Sequence, residues 1–133
     1  MWLPPLLLIP LIIYNIVAFG LVGLPGAGWA EPVLEISVVS GAVWSVTISD
    51  MLVLVALVLL FVEVVRATRA GVVSIIDHSL SSVVFVVYLV EFLVVPAAAT
   101  SLFFICMAMS FMDVVAGFAI SIRTAQRDVN LSG

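Results

Sequence analysis

SIIDHSLSSVVFVVYLVEFLVVP, residues 74–96, is apolar enough to cross a bilayer, yet it carries Asp77, His78, Tyr88 and Glu91. At helical spacing Asp77, Ser81, Val84, Tyr88 and Glu91 share one side, because steps of three and four stay on one face. Val83, Phe85, Val86, Leu89, Val90 and Leu93 fill the opposite side and suit lipid. An apolar helix with a single polar seam requires a partner along that seam. The stretch is therefore expected at the centre of a small helical bundle.

The rest of the chain agrees with that setting. Of its 133 residues 65% are hydrophobic and 9% charged, with a mean hydropathy of +1.45. Soluble domains carry about 25% charged residues, and a chain so poor in charge lacks the polar surface to enclose a core in water. The expected class is an all-α integral membrane protein of one domain, a four-transmembrane-helix bundle. Lysine is absent, and the positive charges are Arg66, Arg69, Arg123 and Arg127, so no basic patch exists to hold nucleic acid. The single cysteine, Cys106, excludes an internal disulfide.

Upstream of the seam, residues 2–24 carry no charge and reach the roughly 20 residues that span a bilayer core. Gly28-Trp29-Ala30 resembles a signal cleavage site, but no basic residue precedes the apolar run, so a retained first helix is expected. Residues 33–49, VLEISVVSGAVWSVTIS, alternate polar and apolar around Ser40-Gly41. That pattern fits either a short β-hairpin or an interfacial loop within the connection 25–48. Trp29 and Trp44 fit the interfacial belt. The second helix is expected over 49–70, capped by Ser49 or Asp50 and stopped by Gly71.

Downstream, Ser74 to Asp77 has capping-box spacing, which starts the third helix at about 75 and carries it to 95. Residues 75–122 as one helix would reach roughly 70 Å, more than twice the ~30 Å hydrocarbon core. The chain must turn at Pro96-Ala97-Ala98-Ala99-Thr100, giving a fourth helix over 101–123 and a tail at 124–133. With four crossings, every arginine falls on one side, and the positive-inside rule makes that side cytoplasmic along with both termini. A bacterial inner membrane is the expected location, with the 25–48 segment facing outward.

Five residues are candidates for intramembrane function: Asp113, Glu91, Tyr88, His78 and Asp77. Asp113 lies roughly 15 Å inside Arg123, where a carboxylate must face protein or water. It is expected either as packing glue or as an ion- or proton-handling group. Met109, Asp113, Gly117 and Ser121 form a stripe along which a second backbone can approach. Glu91 is expected to reach headgroup water, or else to pair within the seam or with a partner subunit. Asp77 fits the positive end of a helix dipole, as does Asp50. Glu63 and Arg66 have the spacing of a local ion pair. His78, the lone histidine, could relay protons with Asp77 or Asp113, although a solvated surface role explains it equally well. Cys106, Met109 and Met112 offer soft metal ligands, but gap filling explains such methionines more simply.

Ser79, Ser81 and Ser82 flank His78 without a third orienting group, and no phosphate-loop, haem or metal-finger motif occurs. No cofactor and no enzymatic activity are expected. The expected role is that of a structural or accessory subunit of a larger inner-membrane assembly, with lipid and other integral membrane subunits, or copies of itself, as partners. The alternative is a small oligomeric proton or ion channel, or a transporter component, using Asp113, Glu91 or both.

Overall fold

The structure, a computed structural model, describes residues 5–19, 28–68 and 72–132. Among them are four helices and one two-stranded antiparallel sheet: α1 (Leu8–Ala18), β1 (Pro32–Ser37), β2 (Val43–Thr47), α2 (Ile48–Arg66), α3 (Val72–Val94) and α4 (Ser101–Ser132). Short 3₁₀ turns occupy Gly28–Ala30 and Pro96–Ala98.

The alternating segment is a hairpin, not a loop. Leu34 pairs with Val46 and Ile36 with Trp44 on one face, while Glu35 opposes Ser45 and Ser37 opposes Val43 on the other. Its tip has three residues rather than the dipeptide Ser40-Gly41. Val38 N–H donates to Ala42 O and Gly41 N–H to Val38 O, each at 2.9 Å. Gly41 takes φ +90°, the left-handed position that closes a three-residue loop and that glycine occupies without strain.

The hairpin runs into α2 with no spacer. Thr47 ends β2 and caps α2: its hydroxyl accepts from Asp50 N–H at 3.2 Å, and the Asp50 carboxylate accepts from Thr47 N–H at 3.0 Å. The cap is thus Thr47 instead of Ser49 or Asp50, and Asp50 is the reciprocal member of a capping box. Ile48 N–H also donates to Glu31 O at 3.2 Å, pinning the other strand to the same helix start. Thr47→Ala is expected to cost about 1 kcal/mol and Thr47→Ser much less, read as the shift of the denaturation midpoint in detergent micelles followed by circular dichroism.

α2 ends at Arg66, short of the expected 70, and Gly71 lies outside the described residues. α3 starts at Val72, so Ser74 falls inside the helix instead of capping it. Pro96 stops α3 as expected. Proline lacks the N–H for another turn and drives the preceding residue extended, and Val95 sits at φ −95°, ψ 117°. The chain reverses over 96–100, where Thr100 Oγ1 accepts from Phe103 N–H at 3.2 Å. α4 then continues past Arg123 to Ser132, through residues expected as a tail.

α3 and α4 form an antiparallel hairpin, visible in the aromatic contacts. Phe92 meets Phe103 and Phe104, Tyr88 meets Phe103, Phe85 meets Phe111, and His78 meets Phe118, so numbers fall on α3 as they rise on α4. α2 packs on the other side of α4. The apolar core lies toward the ribbon end and includes Tyr14, Leu52, Ala56, Tyr88, Phe103 and Cys106. Trp29, partly buried, packs against this core, its ring stacked on Tyr14 at 4.8 Å. Trp44 is exposed.

Among the described residues two helices are long and apolar enough to cross a membrane: Ile48–Arg66 and the Ser101–Ile120 part of α4, with hydropathies of 2.6 and 2.1. Neither is mostly buried inside the protein. On α2, Leu54, Leu57, Val58, Phe61 and Val65 lie open around the helix. A core helix of a water-soluble fold would hide them.

Candidate functional site

Within the described part of the seam that sequence spacing gathers on α3, the side chains face inward. Ser81, Val84 and Tyr88 are buried, while Val83, Val86, Leu89, Val90 and Leu93 are exposed. What the seam meets differs at its two ends.

Away from the ribbon, the seam enters a polar cluster to which α2 and α4 bring charges and α3 a hydroxyl. Asp113, 3% exposed, accepts a hydrogen bond from the Ser81 hydroxyl, and the charges of Glu63 and Arg66 act on it from α2. Arg66 Nη1 donates to Glu63 Oε1 at 3.0 Å. The same oxygen accepts the backbone N–H of Leu6, 57 residues away in the chain. The Glu63–Arg66 pair is therefore more than a local surface contact. At 4% exposure Glu63 ties the start of α1 to the end of α2.

His78 lies one turn from Ser81 and is buried, contrary to a solvated surface role. Its ring sits against Gly117, where an added Cβ would fall 2.6 Å from Nδ1. The small residue on the α4 stripe thus admits an imidazole rather than a second backbone. Ser110, one turn before Asp113, is buried with no hydrogen-bond partner for its hydroxyl among the described residues.

Toward the ribbon, Glu91 turns into the fold instead of reaching out to headgroup water. Oε1 accepts from Asn15 Nδ2 at 3.2 Å, and Oε2 is enclosed without a partner among the described residues. Beside it the Tyr14 hydroxyl shares hydrogen bonds with Ala97 O at 2.7 Å and Thr100 Oγ1 at 2.8 Å. Tyr88, between the two ends, donates to Leu7 O at 2.8 Å. All of these bonds from α1 cross more than 70 residues of chain, so neighbour spacing carries no sign of them.

Other candidates separate. The side chain of Asp77 lies outside the described residues, as do Arg69 and the side chain of Arg127. Arg123 is exposed. Cys106 is buried and Met112 exposed on another side of α4, so the three sulfur atoms of the proposed soft-ligand set do not converge. Among the described residues no three His, Cys, Asp or Glu side chains are grouped to hold a metal ion. A cleft of about 320 Å³ at the α3–α4 turn is lined by Phe92, Ala99, Thr100, Ser101 and Phe104, and neither Glu91 nor Asp113 lines it.

Sequence reasoning missed Glu63, Ser110, Tyr14, Asn15 and Thr100 as members of these clusters. For Glu63 a signal existed: a carboxylate within an 18-residue apolar stretch needs more than one partner. Compared with family models, with curated proteins and with solved structures, the chain matches none.

Proposed function

We propose that the chain is a four-crossing subunit of the bacterial inner membrane that works as a structural or accessory component of a larger assembly. Both termini lie on the cytoplasmic side with the arginines, and the β1–β2 ribbon projects outward. The observation that carries this reading is where the polar and apolar groups point. Asp113, Glu63, Arg66, Ser81 and Tyr88 are engaged inside the bundle, whereas Leu34, Ile36 and Trp44 lie open along one face of the ribbon. A chain whose polar groups are committed internally meets other molecules through its apolar helix faces and its ribbon. Lipid covers the former, and a neighbouring subunit fits the latter.

Affinity purification in mild detergent followed by mass spectrometry tests the reading. A fixed set of other membrane subunits is expected, and Val38→Pro is expected to reduce their recovery several-fold while the bundle still inserts. Proline removes the Val38 N–H that closes the ribbon against Ala42. Unchanged recovery would remove the ribbon as a contact surface.

A second reading, a small oligomeric conductor of protons or ions, draws on the enclosed Glu91 Oε2 and the Asp113 cluster at opposite ends of the seam. Recovery of a homo-oligomer alone would favour it.

A further inference from the structure

Resting on the reading of the ribbon as a contact with a neighbouring subunit, we propose that the outer edge of β2 is a strand-binding edge. Its occupant is an extended segment of that subunit in which basic and apolar residues alternate. The β1–β2 register decides which backbone groups face outward. Val38 N–H bonds to Ala42 O, and antiparallel neighbours alternate between bonded and non-bonded pairs. The bonded pairs are then Ile36 with Trp44 and Leu34 with Val46, and the non-bonded pairs Ser37 with Val43 and Glu35 with Ser45. The N–H and C=O groups of Val43 and Ser45 therefore point away from β1, as those of Ser37 and Glu35 point away from β2. Among the described residues no third strand pairs with either edge.

The two edges are not equivalent. β1 begins at Pro32, which has no N–H, its pairing is interrupted between Pro32 and Leu34, and it carries a carboxylate at Glu35. Proline, an irregular pairing and a charge are the features that keep a foreign strand off an edge. β2, Val43-Trp44-Ser45-Val46-Thr47, has none of them, and Val43, Trp44 and Ser45 are exposed. Its edge offers main-chain donors and acceptors at Val43 and Ser45, the alternate-residue spacing that an added strand matches. Side chains set the chemistry of that strand. Leu34, Ile36 and Trp44 leave one face of the ribbon apolar and exposed, so the incoming segment is apolar on that side. On the other face Ser45 stands between the new strand and Glu35, with its hydroxyl 3.4 Å from the carboxylate. Two strand spacings, about 10 Å, separate Glu35 from the new strand, and a lysine or arginine side chain can cross the small serine. Glu31, Glu35 and Asp50 are exposed at this end, and no Lys or Arg precedes Arg66. Charge complementarity therefore calls for a basic strand.

Paired prolines test the edge. Ser45→Pro removes an outward N–H of β2 and Ser37→Pro the matching one of β1, and neither removes a bond between the two strands. The full chain is purified from its source membrane in mild detergent, and the co-purifying membrane subunits are quantified by mass spectrometry. Ser45→Pro is expected to lower their recovery several-fold and Ser37→Pro to leave it unchanged. Glu35→Lys is expected to lower it as well. A second readout needs no proline. Val43→p-benzoylphenylalanine, photolysed in the assembled complex, is expected to attach to one segment of a co-purifying subunit in which Lys or Arg alternates with apolar residues. Equal losses with the two proline variants, no loss with Ser45→Pro, unaltered recovery with Glu35→Lys, or adducts confined to lipid or to a second copy of this chain would overturn the proposal. Val38→Pro separates this failure from that of the wider reading. If Val38→Pro removes the subunits while Ser45→Pro and Ser37→Pro behave alike, the ribbon remains a contact surface and the edge does not. If Val38→Pro leaves recovery unchanged, both are overturned.

Discussion

Gly117→Ala is expected to loosen the α3–α4 hairpin by about 1–3 kcal/mol, the usual cost of forcing an extra methyl into a packed site. Glycine-to-alanine in a helix normally gains about 1 kcal/mol in helix propensity. The sign here is reversed because the new Cβ would lie 2.6 Å from His78 Nδ1 and 2.8 Å from Cε1. The imidazole cannot simply swing out, since it is buried, with the Phe118 ring 5.7 Å away. Denaturant titration in mixed micelles, followed by circular dichroism, measures the loss. A double-mutant cycle gives the decisive comparison. In a His78→Ala background the alanine at 117 should no longer destabilise and should recover the helix-propensity gain of about 1 kcal/mol, because the atoms it meets are gone. Equal destabilisation in both backgrounds would place the strain elsewhere.

A larger effect is expected at Glu63. Its Oε1 accepts from both the Arg66 guanidinium and the Leu6 backbone N–H, so Glu63→Ala removes the acceptor of both at once. Removing one partner of a buried pair costs about 3–5 kcal/mol. Glu63→Gln should cost less, because the amide oxygen still accepts while the charge is lost. Exposed Glu35, whose contact with Ser45 Oγ is a long 3.4 Å, should show a change within about 0.5 kcal/mol for Glu35→Gln. The ordering Ala, Gln, ribbon control is the measurable result. A Glu63→Ala protein as stable as the ribbon control would mean that α1 is held by its apolar stripe alone.

The helices and the reversal at Pro96 were legible because their causes are local. Period 3.6 sorted the α3 seam from its exposed side, and proline chemistry ended the helix within a residue or two. The ribbon announced itself through period two, but its loop length did not. Ser40-Gly41 suggests a two-residue turn, and only the hydrogen bonds from Val38 and Gly41 show three. Cap placement failed by two residues for a related reason. Ser49 and Asp50 are good caps in isolation, yet Thr47 is where the strand ends and the helix can begin.

The polar clusters were half legible. Asp113 was marked by its depth, and its Ser81 partner lay on the predicted seam. Glu91 takes the inward of its two expected settings, and its donor Asn15, 76 residues away, could not be named from spacing. The ring of Trp29 stacks on Tyr14, a contact that no spacing rule contains. Contacts made by α1 are set by how the helices meet, and a single chain states its own periods without stating which faces will meet.

The seamless join between ribbon and α2 has a mechanical consequence. Thr47 serves as last strand residue and helix cap at once, and Ile48 N–H is fixed to Glu31 O, so both strands are anchored at the helix start with no hinge. The ribbon is therefore a lever arm. A six-residue strand extends roughly 20 Å at about 3.3 Å per residue. On that length a ~10° change in the tilt of α2 sweeps the Val39-Ser40-Gly41 tip through ~3 Å. With α2 crossing a bilayer, as proposed above, bilayer thickness would alter its tilt and so set the angle at which the chain presents its tip.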